Sequence, residues 1–201
     1  AQISLGAATQ ALQHAGLPDQ MPDAERTGVV FGTAIGGLER AAEGIIQLRE
    51  KGPERLNPFT VPTGIPNLSS YIIAKHFQAL GPNITITTAC ATGTQVVGEG
   101  AELIRRGGAD VVITGGTEAL IQDFAIAGFC AMRALPTNYN DDPTHASRPF
   151  DAKREGFIFS EGAASLVLED LEHALARGAT IYAEVAGHAS SSDGYDIAAP
   201  H

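Results

Sequence analysis

The chain alternates between short apolar runs rich in β-branched residues and longer segments with helical spacing, and this alternation constrains the fold most. Brief apolar runs bounded by Gly or by turn residues predict strands. Five runs fit this description: Thr27–Gly32, Ile84–Thr88, Asp110–Gly116, Ala164–Leu168 and Ile181–Val185. Strands that alternate with helices predict a layered α/β fold, with a mostly parallel sheet that is covered on both faces.

Helices are predicted where apolar residues recur on one face of a segment that ends near Gly. The predicted helical segments are Ser4–Ala15 with Ser4 as its N-cap, Leu38–Leu48, Leu68–Leu80, Cys90–Arg106 and Asp170–Arg177. The stretch Leu135–Phe150 is polar, contains Pro and follows neither period. Connections of this length are usually functional or cover a neighbouring element, so we expect a long functional loop here.

Composition excludes several classes of partner. Thirteen basic and 23 acidic residues give a net charge of −10, which is a poor match for the phosphates of nucleic acid. No apolar run approaches the roughly 18 residues that cross a bilayer, so we expect no membrane partner. Two cysteines without His or carboxylates at ligand spacing predict neither a disulfide scaffold nor a metal site, and they favour the cytoplasm. Because the chain begins with Ala and stops in a loop-like Ala-Pro-His, we expect a piece of a larger protein.

The predicted chemistry lies in the segment Thr87–Gly93, where a β-branched run ends, a cysteine follows and a helix begins. Ligands of open α/β sheets collect at the carboxyl ends of strands. The N–H groups and positive dipole end of the helix favour the thiolate of Cys90, which is the form that attacks a carbonyl carbon. The same N–H groups suit the oxyanion that forms on a thioester. Cys130 lies in an apolar segment without this placement, and we interpret it as a packing residue.

Ordinary packing is the competing interpretation of Cys90, because a free cysteine is often simply a small buried hydrophobe. The helix after it contains Gly93, Gly98 and Gly100, each of which costs about 1 kcal/mol relative to Ala in a helix interior. This cost predicts that another group approaches the helix closely.

The segment Thr88–Gly93 resembles the nucleophile motif of the β-ketoacyl-acyl carrier protein synthases, the ketosynthases of fatty acid and polyketide assembly. The chain is most similar to the elongating type II fatty acid subfamily, and the resemblance covers essentially all of it. Further motifs of the family occur in order: Gly32–Gly37, Asn57–Pro62, Gly81–Asn83, Gly115–Ala119, Ser147–Asp151, Arg154–Phe157 and Glu161–Ala163.

The resemblance implies a thiolase-like fold, an α/β/α arrangement with a mixed, mostly parallel sheet, built from two similar halves. Residues 1–201 match part of the first half, the N-terminal ketosynthase domain, without its opening strand and without the second half. The two catalytic histidines of the family belong to that second half, and none of the six His residues here corresponds to them. We therefore expect the 201-residue chain alone to be inactive in condensation.

The resemblance also implies site residues. Cys90 takes the role of the catalytic nucleophile, and its backbone N–H is one arm of the oxyanion hole. Ile35 corresponds to the residue that limits the acyl pocket at the dimer interface, and Phe129 to an aromatic residue of that pocket, although core packing is the simpler interpretation of both. Glu118 and Arg148 are interpreted as structural charges. No cofactor and no metal is expected.

The implied reaction is a decarboxylative Claisen condensation of an acyl-enzyme thioester with malonyl-acyl carrier protein. The expected partners are acyl carrier protein bearing acyl or malonyl groups and a second copy of the chain, paired through Ile84–Thr88. Acyl carrier protein is itself acidic, so a basic patch must bind it. The candidates are Arg105, Arg106, Arg133 and Lys153.

Other functions remain open. A polyketide ketosynthase would use the same chemistry, and a non-catalytic partner subunit would set chain length but typically lacks the nucleophile that is present here. A thiolase is disfavoured by the motifs around Cys90 and Ser147–Asp151. Nucleotide binding is disfavoured because Gly32–Gly37 has neither the GxGxxG spacing nor a subsequent phosphate-binding Lys.

Overall fold

The protein is described by a computed structural model that covers residues 1–199 and 201. Its strands are β1 (Thr27–Gly32), β2 (Asn83–Ile86), β3 (Val111–Glu118) and β4 (Gly162–Glu169). Its helices are α1 (Gln2–Ala15), α2 (Leu38–Lys51), α3 (Thr60–Thr63), α4 (Leu68–Phe77), α5 (Thr92–Arg105), α6 (Asp123–Ala131) and α7 (Leu171–Ala176). Single 3₁₀ turns occur at Pro53–Arg55, Ala89–Ala91 and Pro143–His145.

The strands form one four-stranded mixed sheet in the order β2-β1-β3-β4. Strand β1 is parallel to both β2 and β3, whereas β4 is antiparallel to β3. The parallel register pairs Gly32 with Gly116, so β3 continues beyond the last residue of β1. The prediction of an α/β fold with a mostly parallel sheet is confirmed.

The sheet separates two hydrophobic cores, which gives the α/β/α layering. Helices α1 and α4 cover one face and α5 covers the other. Strand β1 is buried along its whole length because it lies between both layers. Burial of each large side chain contributes roughly 1.5–3 kcal/mol. The largest buried side chains of the first core are Leu12, Phe31, Ile73 and Phe77, and those of the second core are Val30, Val96, Leu103 and Val112.

The prediction of a fifth strand at Ile181–Val185 is wrong. Its apolar, β-branched sequence is typical of a strand, but a strand also needs a neighbour to pair its backbone groups. In the described part of the chain no strand runs beside these residues. The side chains of Ile181 and Tyr182 are exposed, and the Val185 carbonyl accepts a hydrogen bond from the Arg105 guanidinium instead.

The predicted helices are present, with corrected ends. Helix α1 begins at Gln2, so Ser4 is not its N-cap: the Ser4 hydroxyl is buried inside the helix and donates to the Ala1 carbonyl at 2.6 Å. Helix α4 ends at Phe77, so Leu80 lies outside it and is exposed. The short helix α3 and helix α6 are additional to the predicted set.

The apolar stripe of α2 faces outward. Ile45 and Leu48 are exposed, and the single buried residue of this helix is Gly44. Gly44 is buried because Thr60 of α3 lies directly against it, closer than any Cβ would permit. The helical period is therefore predicted correctly, whereas the buried side of the helix is determined by a contact that the period does not encode.

Candidate functional site

Cys90 lies at a sharp turn between β2 and α5. Strand β2 ends at Ile86, and the 3₁₀ turn Ala89–Ala91 carries the cysteine directly to the first turn of the helix. The preceding Ala89 has a φ of 50°, a left-handed conformation that is uncommon for a residue with a Cβ. Such strain clusters at functional sites. The Cys90 thiol is exposed at this turn, so the packing interpretation does not describe it.

Thr92, the first residue of α5, holds the turn in place. Its hydroxyl oxygen accepts from the backbone N–H of Thr88 at 2.8 Å, and the Thr88 carbonyl accepts from the N–H of Ala91 at 3.1 Å. These bonds withdraw Thr88 from the sheet, so the strand stops two residues before its predicted end. The side chain of Thr92 is buried, which fixes the start of the helix relative to the sheet.

Gly32 at the end of β1 makes this close approach possible. A Cβ at Gly32 would overlap the methyl group of Thr92 and would lie 2.6 Å from the Ile86 carbonyl oxygen. It would also lie 3.1 Å from Val96 of α5. The glycine therefore allows the first turn of α5 to contact the sheet at Thr92, two residues after Cys90.

The N-terminus of α5 provides a favourable environment for negative charge at Cys90. The first N–H groups of any α-helix lack partners within the helix, and the dipole is positive at this end. The first turn of α5 contains no acidic side chain that would oppose the effect. Among the residues that the structure describes, no acceptor lies on the backbone N–H of Cys90. This arrangement suits a thiolate and the oxyanion of a thioester adduct.

A cleft of about 450 Å³ opens beside this turn, at the carboxyl ends of β1 and β3. Its walls come from the loop after β1, the start of α5, the end of β3 and the start of β4. Its lining includes Thr33, Ala34, Ala89, Thr92, Gly93 and Glu118. Ala89 and Thr92, on either side of Cys90 in the sequence, therefore line the cleft, although Cys90 itself does not.

The loop that carries Ile35 lines the same cleft through Thr33 and Ala34 and is held by Glu118. One oxygen of Glu118 accepts from the Thr33 hydroxyl at 3.0 Å. The other accepts from the backbone N–H groups of Ala34 at 2.9 Å and Ile35 at 3.2 Å. Ile35 is half-buried and borders the cleft through its neighbour Ala34.

Phe129 lies away from this cleft, in α6. Its ring packs edge-on against Phe157 and Phe159, with centroid separations of 5.2 and 5.0 Å. The structure thus brings the Ile35 loop and the Cys90 turn to one cleft, whereas Phe129 belongs to a separate aromatic cluster. The roles of Cys90, Ile35 and Phe129 in acyl binding remain predictions.

The sequence model of the β-ketoacyl synthase N-terminal domain matches residues 1–174. The chain belongs to this family. Over 198 residues it is 46% identical to a 3-oxoacyl-[acyl-carrier-protein] synthase 2 of Rhizobium meliloti, covering 98% of this chain and 47% of that protein. Over 199 residues it is 48% identical to the Staphylococcus aureus protein of the same name, covering 99% and 49%. The chain spans about half the length of these relatives.

Solved structures lead to the same family. A type II polyketide synthase ketosynthase, bound to the hexaketide and in complex with its acyl carrier protein, has a TM-score of 0.89 at 34% identity, covering 96% of this chain and 49% of that one. A β-ketoacyl synthase from Burkholderia phymatum has a TM-score of 0.78 at 33% identity, covering 90% and 45%. The predicted thiolase-like ketosynthase fold is confirmed.

In this ketosynthase domain the structure contradicts the prediction for Cys130 and agrees with the prediction for Arg148. The interpretation of Cys130 as a packing residue is wrong, because Cys130 is exposed on α6. The helix is short and buries only Ala125, so an apolar sequence around Cys130 does not by itself make the residue buried. Arg148 fits the structural role expected of it: it donates to the His145 carbonyl at 2.8 Å and lies 4.4 Å from the Tyr139 ring centroid.

The long loop 135–150 is ordered by its own polar contacts. The His145 ring hydrogen-bonds to Asp142 at 2.7 Å, and this bond holds the pKa of Asp142 below its ordinary value. Within residues 1–199 and 201, no three His, Cys, Asp or Glu side chains are grouped so that they could bind a metal ion. The same residues contain no helix that is long and apolar enough to span a bilayer.

Sequence reasoning misses the roles of two residues of the site. Thr92 lies in the predicted nucleophile motif without an assigned role, although a Thr two residues after a cysteine at a helix start can bond the turn that precedes it. Glu118 is recognisable as a charge in Gly115–Ala119, but its partners lie some 84 residues earlier in the chain. Only the pairing of β1 with β3 brings them together.

Proposed function

We propose that this chain provides the acyl-accepting half of a 3-oxoacyl-acyl carrier protein synthase of fatty acid elongation, with all 201 residues in the first half of its fold. The observation that carries the proposal is Cys90, an exposed thiol at the turn between β2 and α5, beside a cleft at the carboxyl ends of the strands. The names of the relatives support the fatty acid assignment.

The first step is transfer of the acyl group to Cys90. The thiolate attacks the carbonyl carbon of the acyl-acyl carrier protein thioester, and the carrier's thiol leaves after taking up a proton. Negative charge develops on the carbonyl oxygen, and the backbone N–H of Cys90, supported by the N-terminus of α5, stabilises it. The product is a thioester on Cys90.

The second step forms the carbon–carbon bond. Malonyl-acyl carrier protein loses carbon dioxide, and the resulting carbanion attacks the Cys90 thioester. The bond to sulfur breaks, which releases β-ketoacyl-acyl carrier protein and returns the thiolate. The paired histidines that stabilise the malonyl thioester oxygen belong to the second half of the family's fold, so the 201-residue chain by itself is expected to accept an acyl group without condensing it. The chemistry requires no cofactor.

The partner in both steps is acyl carrier protein. The ketosynthase with the TM-score of 0.89 was solved in complex with such a carrier, which supports the assignment. Among the basic candidates, Arg105 is engaged by Glu102 and by the Val185 carbonyl. Arg106, Arg133 and Lys153 are exposed and carry no ion pair to described residues. They are the better sites for an acidic partner.

A second copy of the chain is the other proposed partner. Strand β2 is an edge strand, and its side away from β1 pairs with no strand in the described part of the chain. An unpaired edge exposes a row of backbone donors and acceptors that another strand can extend. The side chains of Ile84 and Ile86 pack against the core on the α5 side, so the backbone edge of β2 is what a second copy would extend across a two-fold axis. The two free cysteines are consistent with the reducing cytoplasm as the location.

The competing function is that of a polyketide ketosynthase, which the likeness to the hexaketide-bound enzyme favours. The two functions differ in the fate of the chain after one condensation. A fatty acid synthase of this class releases a product that must be reduced before the next round, whereas a polyketide enzyme extends an unreduced β-ketoacyl chain. A non-catalytic chain-length subunit is disfavoured because Cys90 is present.

The test uses this chain joined to the second half of the fold, a protein here called the complete ketosynthase. It is supplied with acyl- and malonyl-acyl carrier protein, and the products are identified by mass spectrometry. We expect one condensation per acyl group with Cys90 intact and none with Cys90→Ala. Repeated extension without reduction would favour the polyketide function. Condensation by Cys90→Ala at the wild-type rate would refute the proposal.

A further inference from the structure

The carboxylate of Glu118 joins the two parallel strands that frame the cleft. Strand β3 reaches Glu118, while its neighbour β1 ends opposite Gly116, so β3 extends two residues beyond β1. The backbone of Glu118 is fixed from the other side, because it pairs with Gly162 of β4. A carboxylate at this position lies over the loop that begins where β1 stops.

Three donors of that loop converge on the carboxylate. They are the Thr33 hydroxyl at 3.0 Å, the Ala34 N–H at 2.9 Å and the Ile35 N–H at 3.2 Å. Thr33 is buried, and its oxygen also accepts from the Gly36 N–H at 3.0 Å. Hydrogen bonds to an ionised acceptor are among the stronger ones in proteins. Four consecutive residues therefore depend, directly or through Thr33, on one side chain.

Close contacts restrict the backbone conformation of this loop. A Cβ at Gly36 would lie 2.5 Å from the Thr33 hydroxyl, so only glycine allows the N–H to reach that oxygen. Gly37 has a φ of 96° and meets the backbone of Gly64 after α3. The loop is thus held between Glu118 on one side and α3 on the other, with Ile35 in its middle.

We infer that Glu118 is a positioning residue that sets acyl-chain preference by holding Ile35 beside the cleft. The inference rests on the proposed function, since Ile35 matters here only if an acyl group is loaded on Cys90. Glu118 bonds the backbone of Ile35 and its neighbours, so its effect depends on where the loop places the Ile35 side chain. A hydrophobic pocket discriminates chains by the fit of single methylenes, and a loop that loses its acceptor no longer fixes that fit.

The experiment measures transfer of short, medium and long acyl groups from carrier protein to Cys90 in the complete ketosynthase. We expect Glu118→Ala to change the ratio of long-chain to short-chain transfer by about tenfold, a typical value for altered pocket fit. Glu118→Gln keeps an oxygen acceptor for the two N–H groups, while its NH2 group can only donate, so the Thr33 hydroxyl would accept from it instead of donating. Because the two backbone bonds are kept, this variant is expected to restore the wild-type ratio. In an Ile35→Ala background, Glu118→Ala is expected to leave the ratio unchanged, because the residue through which it acts is gone.

Glu161→Ala is the matched control. Glu161 also accepts a backbone N–H, that of Ile121 at 3.0 Å, but in the described part of the chain it forms no hydrogen bond with the Ile35 loop. An equal loss of transfer for every chain length in Glu118→Ala, or the same shift in Glu161→Ala, would overturn the inference. Wild-type protein that takes no acyl group on Cys90 would overturn the proposed function itself, whereas normal acylation with an unchanged ratio in Glu118→Ala would overturn the positioning role alone.

Discussion

Replacing Gly32 with Ala tests the packing that holds the Cys90 turn. The backbone of Gly32 does not have a positive φ, so alanine is strained only by its surroundings. The added Cβ would meet the Thr92 methyl group and would lie 2.6 Å from the Ile86 carbonyl oxygen. Overpacking of this kind costs about 1–3 kcal/mol, while alanine regains about 0.4–1 kcal/mol by restricting the unfolded chain. The net expectation is a loss of up to about 2.6 kcal/mol in the free energy of unfolding.

The same substitution is expected to alter the reactivity of Cys90. Thr92 can avoid the new methyl group only by rotating, and rotation removes its hydroxyl oxygen from the Thr88 N–H. We would measure urea unfolding and the rate of iodoacetamide alkylation in a Cys130→Ser background, where Cys90 is the one remaining thiol. Both quantities are expected to change in Gly32→Ala. Adding Thr92→Ser, which removes the methyl group and keeps the hydroxyl, is expected to restore part of each.

Gly162→Ala provides the control for this experiment. Gly162 is also a strand glycine at the cleft, but a Cβ there would meet nothing within 4 Å. We expect this variant to be as stable as the wild type or more stable by about 0.4–1 kcal/mol. Equal stability of the Gly32→Ala and Gly162→Ala variants, or no recovery on adding Thr92→Ser, would refute the reasoning.

Three other contacts can be tested by single substitutions. Burial alone would raise the pKa of Glu169, but hydrogen bonds from Arg177 and a neighbouring imidazole lower it beneath the ordinary value of 4.5. The ionised Glu169 therefore stabilises the fold fully above pH 4.5, and this stabilisation is lost as the pH falls through the lowered pKa. In urea unfolding measured at a series of acidic pH values, the free energy of unfolding should decrease less for Glu169→Gln than for the wild type. Both native thiols should react with a thiol reagent, and Cys90→Ala should leave Cys130 reactive; complete protection of Cys130 would contradict its exposure. Thr92→Val should lower stability by about 1 kcal/mol through loss of a hydrogen-bond acceptor, whereas Thr92→Ser should retain it, as unfolding curves would test.

The sequence is sufficient where local pattern and burial agree. Strand β1 is predicted at its observed bounds because a fully buried parallel strand is a continuous apolar run between glycines. The helix at Asp170–Arg177 is likewise predicted from its local sequence, and the structure shows the Asp170 side chain capping it by accepting from N–H groups of the first turn of α7. In such elements the residues that form the structure also make up the sequence pattern that predicts it.

Prediction fails where a distant partner decides the outcome. Ile181–Val185 has the composition of a strand, but no strand lies beside it in the described chain. The apolar stripe of α2 correctly predicts a helix, yet the contact of Gly44 with Thr60 determines which side is buried. The candidate site shows the same division: Cys90 is predicted from its local motif, whereas the link from Glu118 to the Ile35 loop requires the pairing of two strands.

The claim that Cys90 accepts the acyl group is tested most directly by intact-mass and peptide-mass analysis after exposure to acyl-acyl carrier protein. Cys130 provides an internal comparison, because it is a second exposed thiol in the same chain. We predict one acyl adduct per chain, mapped to the peptide containing Cys90, retained in Cys130→Ala and absent from Cys90→Ala. An adduct that maps to Cys130 or to any other residue, or that persists in Cys90→Ala, would contradict the account.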